Sequence, residues 1–342
     1  MPILFVVLLL LLAVPTTGQS LSVQAQAALN RGQAALDRDD FSGAIGSLEQ
    51  ARELAPNRPE ILRPLMLAYL QAGQIPDALR LGLEAVAAWP EDPEFRHYLG
   101  LAYFKTGDNS HAREELEHAG KLSAGDFGIH FDLALVLLTS QDYLAAGREL
   151  ERAVKIRPSG VLAHVLLGRA YQNTNRSEDA IREFQTALRL DPRVPLGHYH
   201  LGFAYESVGR SKDALAEYQL EVQRAPENAQ VQYQLGHCLM ESGDWKGAIA
   251  HLQKATEIDP QKGDAFYDLG KAAQLAGDAR TAIPALRRAI QLKPADPSPH
   301  YQLARALQQT GNNEEAEVER QRFLELKQAQ PVTGGMATGR TQ

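Results

Sequence analysis

Pro195 to Asn228 reads PLGHYHLGFAYESVGRSKDALAEYQLEVQRAPEN and carries Leu201-Gly202, Tyr205, Gly209, Ala214, Tyr218 and Pro226. Moved on by 34 residues, the pattern meets Leu235-Gly236, Gly243, Ala248, Leu252 and Pro260; moved again, it meets Leu269-Gly270, Gly277, Ala282, Leu286 and Pro294. A fixed period of this length marks a stack of like units, each touching its neighbours, rather than one globular core. Counted outward, frames start at Ala25, Pro59, Pro93, Phe127, Val161, Pro195, Ala229, Gly263 and Pro297, so nine frames of 34 span residues 25–330 without insertion or deletion. Position 20 of the frame is alanine in all nine, from Ala44 to Ala316. Position 10 is alanine in seven, with Val136 and Cys238 in the others, and position 32 is proline in seven, the exceptions being Ala124 and Gln328.

Leucine at position 7, a small residue at 8 and an apolar or aromatic residue at 11 lie on one face of a helix. Glycine or asparagine near position 15 ends that helix, since a residue such as Gly73, Gly107 or Gly209 can take the positive φ of a helix stop. The alanine at 20 lets a second helix approach closely, where a larger side chain would overpack at roughly 1–3 kcal/mol. Proline at 32 breaks the second helix. Each frame therefore predicts a helix, a tight turn, a helix and a break.

The columns resemble the tetratricopeptide repeat, whose signature stands here as His198-x2-Leu201-Gly202-x2-Tyr205, Ala214-x3-Tyr218 and Pro226. The family's tryptophan column has drifted to Ala28, Leu62, Arg96, His130, His164, His198, Gln232, Phe266 and His300. The resemblance implies an all-α, right-handed superhelical solenoid of antiparallel helix pairs, with a concave groove lined by the first helices and used as a binding platform more than as a catalyst.

Frame two carries Pro64 inside its first helix and frame eight Pro284 inside its second, where a kink or a shortened helix is expected. Ala124-Gly125-Asp126-Phe127-Gly128 lacks the closing proline and is expected to be the most flexible joint. The ends depart as capping units do: Arg31 stands in the leucine column of frame one, and residues 313–327 of frame nine are heavily charged, with Arg320 in place of an apolar residue. Residues 331–342, PVTGGMATGRTQ, read as a disordered tail.

Residues 1–18 read as a secretory signal peptide: the apolar run Ile3–Val14 is too short to span a bilayer, and Thr16-Thr17-Gly18 places small residues before a cut at Gln19. No Lys or Arg precedes the run, so a retained anchor is the alternative. Residues 19–24 form a lead-in. An exported chain, periplasmic or secreted, follows from the first reading and a membrane-anchored one from the second. The single cysteine allows no internal disulfide. A net charge of -7 with no dense Lys/Arg run argues against nucleic acid as a partner.

His130, His164 and His198 recur at the repeat spacing, but equivalent positions on packed helices lie on the order of 8–10 Å apart, too far to share a metal. They read as core replacements for the tryptophan. Cys238, in an alanine column, reads as a buried small hydrophobe, and no catalytic or phosphate-binding motif appears. Neither a cofactor nor a metal is called for. By the resemblance, positions 2, 5, 9, 12 and 13 face the groove. Frames two to four place Leu67, Leu101, Phe104, Phe131, Leu135 and Leu138 there; frames six to nine place Tyr199, Tyr233, Tyr267 and Tyr301 in one column beside Phe203, His237, Lys271 and Arg305. A contiguous apolar patch marks a partner surface, and tyrosine offers a flat contact with a hydrogen-bonding tip. Arg169 with Asn173, or Lys271 with Arg305, are loose substitutes for the clamp by which some family members hold a terminal carboxylate.

The expected function is a non-enzymatic, exported scaffold that binds a protein or peptide segment in the groove. The alternatives are a recruiting subunit acting in trans for an enzyme such as a glycosyltransferase, and an envelope assembly factor held at the membrane by an uncleaved N-terminus.

Overall fold

The computed structural model describes residues 20–329, so the leader with its cut at Gln19, the last position of frame nine and the aperiodic tail lie outside the described residues. Among those residues there are eighteen α-helices and no strand. The first helices of the frames are α1 (Val23–Leu36), α3 (Pro59–Gln71), α5 (Pro93–Thr106), α7 (Phe127–Thr139), α9 (Val161–Asn173), α11 (Gly197–Ser207), α13 (Ala229–Glu241), α15 (Gly263–Leu275) and α17 (Ser298–Gln309). The second helices are α2 (Phe41–Leu54), α4 (Ile75–Ala88), α6 (Asn109–Leu122), α8 (Tyr143–Ile156), α10 (Ser177–Leu190), α12 (Ser211–Arg224), α14 (Trp245–Ile258), α16 (Ala279–Leu292) and α18 (Asn313–Ala329). All nine second helices start on position 17, at intervals of 34. The fold is an all-α solenoid of antiparallel helix pairs, and it divides into two compact units, residues 20–163 and residues 164–329.

The turn inside each pair has one backbone solution. Position 15 takes a positive φ in all nine frames: six are glycines, such as Gly107 at 83° and Gly243 at 86°, and the others are Asp39, Gln141 and Asn175 at 56°, 59° and 59°. Aspartate and asparagine tolerate this region; glutamine does so at some cost. One residue later an aspartate caps the second helix in five frames, for example Asp40 accepting from Gly43 N–H at 2.9 Å and Asp244 from Gly247 N–H at 3.0 Å.

Two columns lock the helices of a pair. The alanine at position 20 is buried in every frame. Position 8 opposes position 24 with matched sizes: a Cβ on Gly168 would stand 2.6 Å from Phe184 Cε1, one on Gly202 2.8 Å from Tyr218 Cε1, and one on Gly236 2.7 Å from Leu252 Cγ. Frame two inverts the pair. Met66 occupies position 8, Gly82 occupies position 24, and a Cβ on Gly82 would stand 2.8 Å from Met66 Cε. The contact needs one small and one large residue, on either helix.

The interior prolines do not shorten their helices: α3 runs 13 residues through Pro64 and α16 runs 14 through Pro284, lengths ordinary for the set. Neighbouring helices hold both segments, since Leu62 and Leu65 around Pro64 and Ala282, Ala285 and Leu286 around Pro284 are buried. The Ala124–Gly128 joint is tied down by Asp126, whose carboxylate accepts from Gly128 N–H at 2.7 Å, and by His130 Nε2, 3.1 Å from the Ala124 carbonyl. The boundary between the compact units lies elsewhere, within α9. In α18 Ala316 is the one buried residue while Val318 and Leu324 stay exposed, as the charged sequence implies.

The template stretch itself holds the least regular helix start. α11 begins at Gly197, two residues late, after Leu196 at a φ of 56°. Frames three, four and seven cap their first helix with Asp92, Asp126 and Asn228, but Val194 fills that place in frame six and offers no acceptor. Glu221 of α12 supplies it instead: its buried carboxylate accepts from the N–H groups of His198 (3.0 Å) and Tyr199 (3.3 Å). Glu221→Ala is expected to destabilise the second unit by about 1–3 kcal/mol, with amide exchange accelerated first in α11. Unchanged stability and exchange would show that the first turn of α11 needs no acceptor.

Candidate binding faces

The apolar residues that the sequence assigns to the groove of frames two to four lie on three first helices of the first unit. Leu67 on α3, Leu101 and Phe104 on α5, and Phe131, Leu135 and Leu138 on α7 are all half-buried. Leu101, Phe104 and Leu138 rest on the cores beneath them. Phe131 stacks on Phe127, with centroids 5.5 Å apart. Four of the six are thus packed on one side, and all six keep part of their surface open. His97 on the same face pairs with Asp132 of the next frame at 2.7 Å, and Arg63 pairs with Asp92.

In the second unit the tyrosine column is half-buried in three of its four frames. Burial raises the pKa of the Tyr199, Tyr233 and Tyr267 hydroxyls. The charge of Asp268, at position 6 of the following frame, adds to the effect at Tyr233, and His97 meets Asp132 from the same two positions. Tyr301 is 44% exposed, rests on Phe323 and lies beneath Arg305 at 5.9 Å. Phe203 is equally exposed, and Lys271 is half-buried.

Behind this face lies a polar cluster that the sequence did not suggest. His237 Nδ1 stands 2.9 Å from the buried Asp268 carboxylate, which draws the imidazole pKa up. Tyr218 donates to Glu206 at 2.6 Å, and burial pushes the Glu206 carboxyl up. Cys238 is buried beside it, its thiol pushed up to about 11 by burial and directed at the Ser211 carbonyl at 3.7 Å. A thiol in that state is a poor nucleophile. Among the described residues, no group of three or more His, Cys, Asp or Glu side chains is placed to hold a metal ion.

The histidine column also resolves. His130, His164, His198 and His300 each bring Nδ1 to a glutamate 19 residues on, at 2.7, 2.6, 2.6 and 2.5 Å from Glu149, Glu183, Glu217 and Glu319. The same two positions hold Arg96 with Glu115 at 2.8 Å and, reversed in character, Gln232 with His251 at 2.8 Å. Leu62 and Leu81 are both buried at these positions. The tryptophan of the signature has been replaced by complementary pairs that bind the two helices of a frame together.

Tetratricopeptide models match residues 64–126, 131–195 and 165–229, and further ones match 236–277 and 273–325. The chain belongs to the tetratricopeptide repeat family. No curated protein sequence matches it. Among solved structures, the Cut9–Hcn1 hetero-tetramer of the APC/C matches 82% of this chain and 55% of its own, at 17% identity and a TM-score of 0.50, which bears on the fold alone. YrrB, described as a tetratricopeptide protein with an unusual peptide-binding site, shares 24% identity over 55% of this chain and 97% of its own, with a TM-score of 0.48. MamA shares 25% identity over 47% of this chain and 95% of its own, with a TM-score of 0.45.

Proposed function

We propose that this tetratricopeptide protein is a non-catalytic scaffold that binds a protein or peptide segment, and that the first-helix face of residues 59–139 is its principal contact. The observation that carries the reading is the set of six partly exposed apolar side chains on α3, α5 and α7, Leu67, Leu101, Phe104, Phe131, Leu135 and Leu138. Contiguous apolar surface of this kind marks partner sites, and rigid side chains lose little freedom when a partner covers them. Phe203, Lys271, Tyr301 and Arg305 give the second unit a mixed aromatic and cationic face suited to a more polar segment. The apolar run and small residues at the N-terminus support export as part of this reading, and no described helix is long and apolar enough to cross a membrane.

The test is a Leu101→Asp, Leu135→Asp double variant compared with wild type in cross-linking and mass spectrometry from the native extract. Both leucines are half-buried, and placing a charge at each under a partner is expected to cost at least about 3 kcal/mol of binding, a hundredfold or more. A helical variant that keeps every wild-type partner would overturn the assignment.

A further inference from the structure

A cavity of about 770 Å3 lies away from the first-helix face, at the corner between α6, the start of α7 and α8. It exists because frame three omits two side chains. Position 28 carries Val86, Val154, Leu188, Val222, Thr256, Ile290 or Leu324 in seven frames and Arg52 in the first, but Gly120 in the third. Position 32, proline in seven frames, is Ala124 here. A Cβ on Gly120 would meet nothing closer than His130 Cε1 at 3.6 Å, so the space is open to a side chain the sequence does not provide. The corresponding corner one frame-pair earlier, with Arg52 and Pro56 in place, holds about 330 Å3.

The walls divide by chemistry. Leu133, Ala124 and Ile156 give apolar surface. At the floor the two nitrogens of His130 already face Glu149 (2.7 Å) and the Ala124 carbonyl (3.1 Å). Glu149 also takes Arg152 at 2.6 Å, and Glu117 takes Arg113 at 2.7 Å. The interior thus has its polar groups satisfied and offers an occupant's inner end only apolar contact. Lys121 and Lys155, at position 29 of consecutive frames, stand at the rim with no ion-pair partner among the described residues.

We propose that this corner is a binding site for a small anionic amphiphile, its alkyl chain in the space left by Gly120 and its acidic head between Lys121 and Lys155. The volume falls within the range of pockets that bury small ligands, about 300–1,000 Å3. The two lysines select the sign of the head group, since nothing acidic at the rim is left uncompensated.

Calorimetric titration of the full chain with dodecanoate, below its micellar concentration, tests the site against dodecyltrimethylammonium, which keeps the chain and reverses the charge. Gly120→Leu fills the cavity and improves the α6 sequence, so it should raise Tm by about 2–4 °C while weakening dodecanoate at least tenfold. Lys121→Glu with Lys155→Glu should weaken it at least tenfold with the cavity intact. The proposal is overturned if dodecanoate does not bind, if Gly120→Leu binds it as tightly as wild type, or if the cationic probe binds equally well. It is independent of the first-helix face, and the Leu101→Asp, Leu135→Asp variant should keep dodecanoate affinity.

Discussion

Exchanging both residues of the Gly236–Leu252 contact is expected to cost far less than changing either alone. Leu252 is fully buried, and Leu252→Gly removes its side chain from the pair and places a flexible residue inside α14, a loss of roughly 3–6 kcal/mol. Gly236→Met drives a side chain into the space 2.7 Å from Leu252 Cγ, an overpacking of about 1–3 kcal/mol. Together the substitutions recreate the Met66–Gly82 arrangement of frame two, in which the large residue comes from the first helix and the gap from the second. The double variant should recover about 2 kcal/mol or more of the summed losses in a double-mutant cycle followed by urea denaturation. Additive losses would show that the contact is set by more than the two sizes.

The second large effect is a loss of stability in acid through one histidine. His200 stacks on Phe184, with centroids 5.4 Å apart and planes at 14°, and burial together with the charge of Arg169 lowers its pKa from 6.5 to about 4. The folded protein therefore holds the neutral ring, and the unfolded chain takes up the proton first as pH falls. The contribution of this group is fully present above about pH 6.5 and is lost progressively towards pH 4, an upper value of roughly 3 kcal/mol. His237, held up by Asp268, titrates with the opposite sign. The informative quantity is the difference between wild type and His200→Phe, which keeps the stack and lacks the proton. That variant should lose markedly less stability than wild type between pH 7 and pH 4, read as urea midpoints. Parallel pH profiles would contradict the assignment.

The repeat was legible because each frame must solve the same packing problem, and the solution recurs in the same columns of the sequence. Alanine at position 20 and the turn residue at position 15 located the helices of every pair. What could not be read one residue at a time is what lies in pairs of columns. His198 with Glu217, or Gln232 with His251, becomes meaningful when positions 4 and 23 are compared across frames, and the fixed spacing of 19 was the available signal. The His97–Asp132 pair hides in a spacing of 35, one more than the period, because it joins one frame to the next. Glu221 was beyond reach altogether, since nothing in the order of residues says that a glutamate of α12 will cap α11. The Gly120 cavity was marked, by a glycine in an apolar column, but an absent side chain is easily taken for a packing glycine until the space around it is seen.

The central claim is that the first-helix face of the first unit carries the partner. The most direct measurement is hydrogen–deuterium exchange of the full chain with and without the partner recovered by cross-linking. The account predicts new protection concentrated in α3, α5 and α7, around Leu67, Leu101 and Leu135, and little change in α4, α6 and α8. Protection confined to the second helices, or to α11–α17, would contradict it.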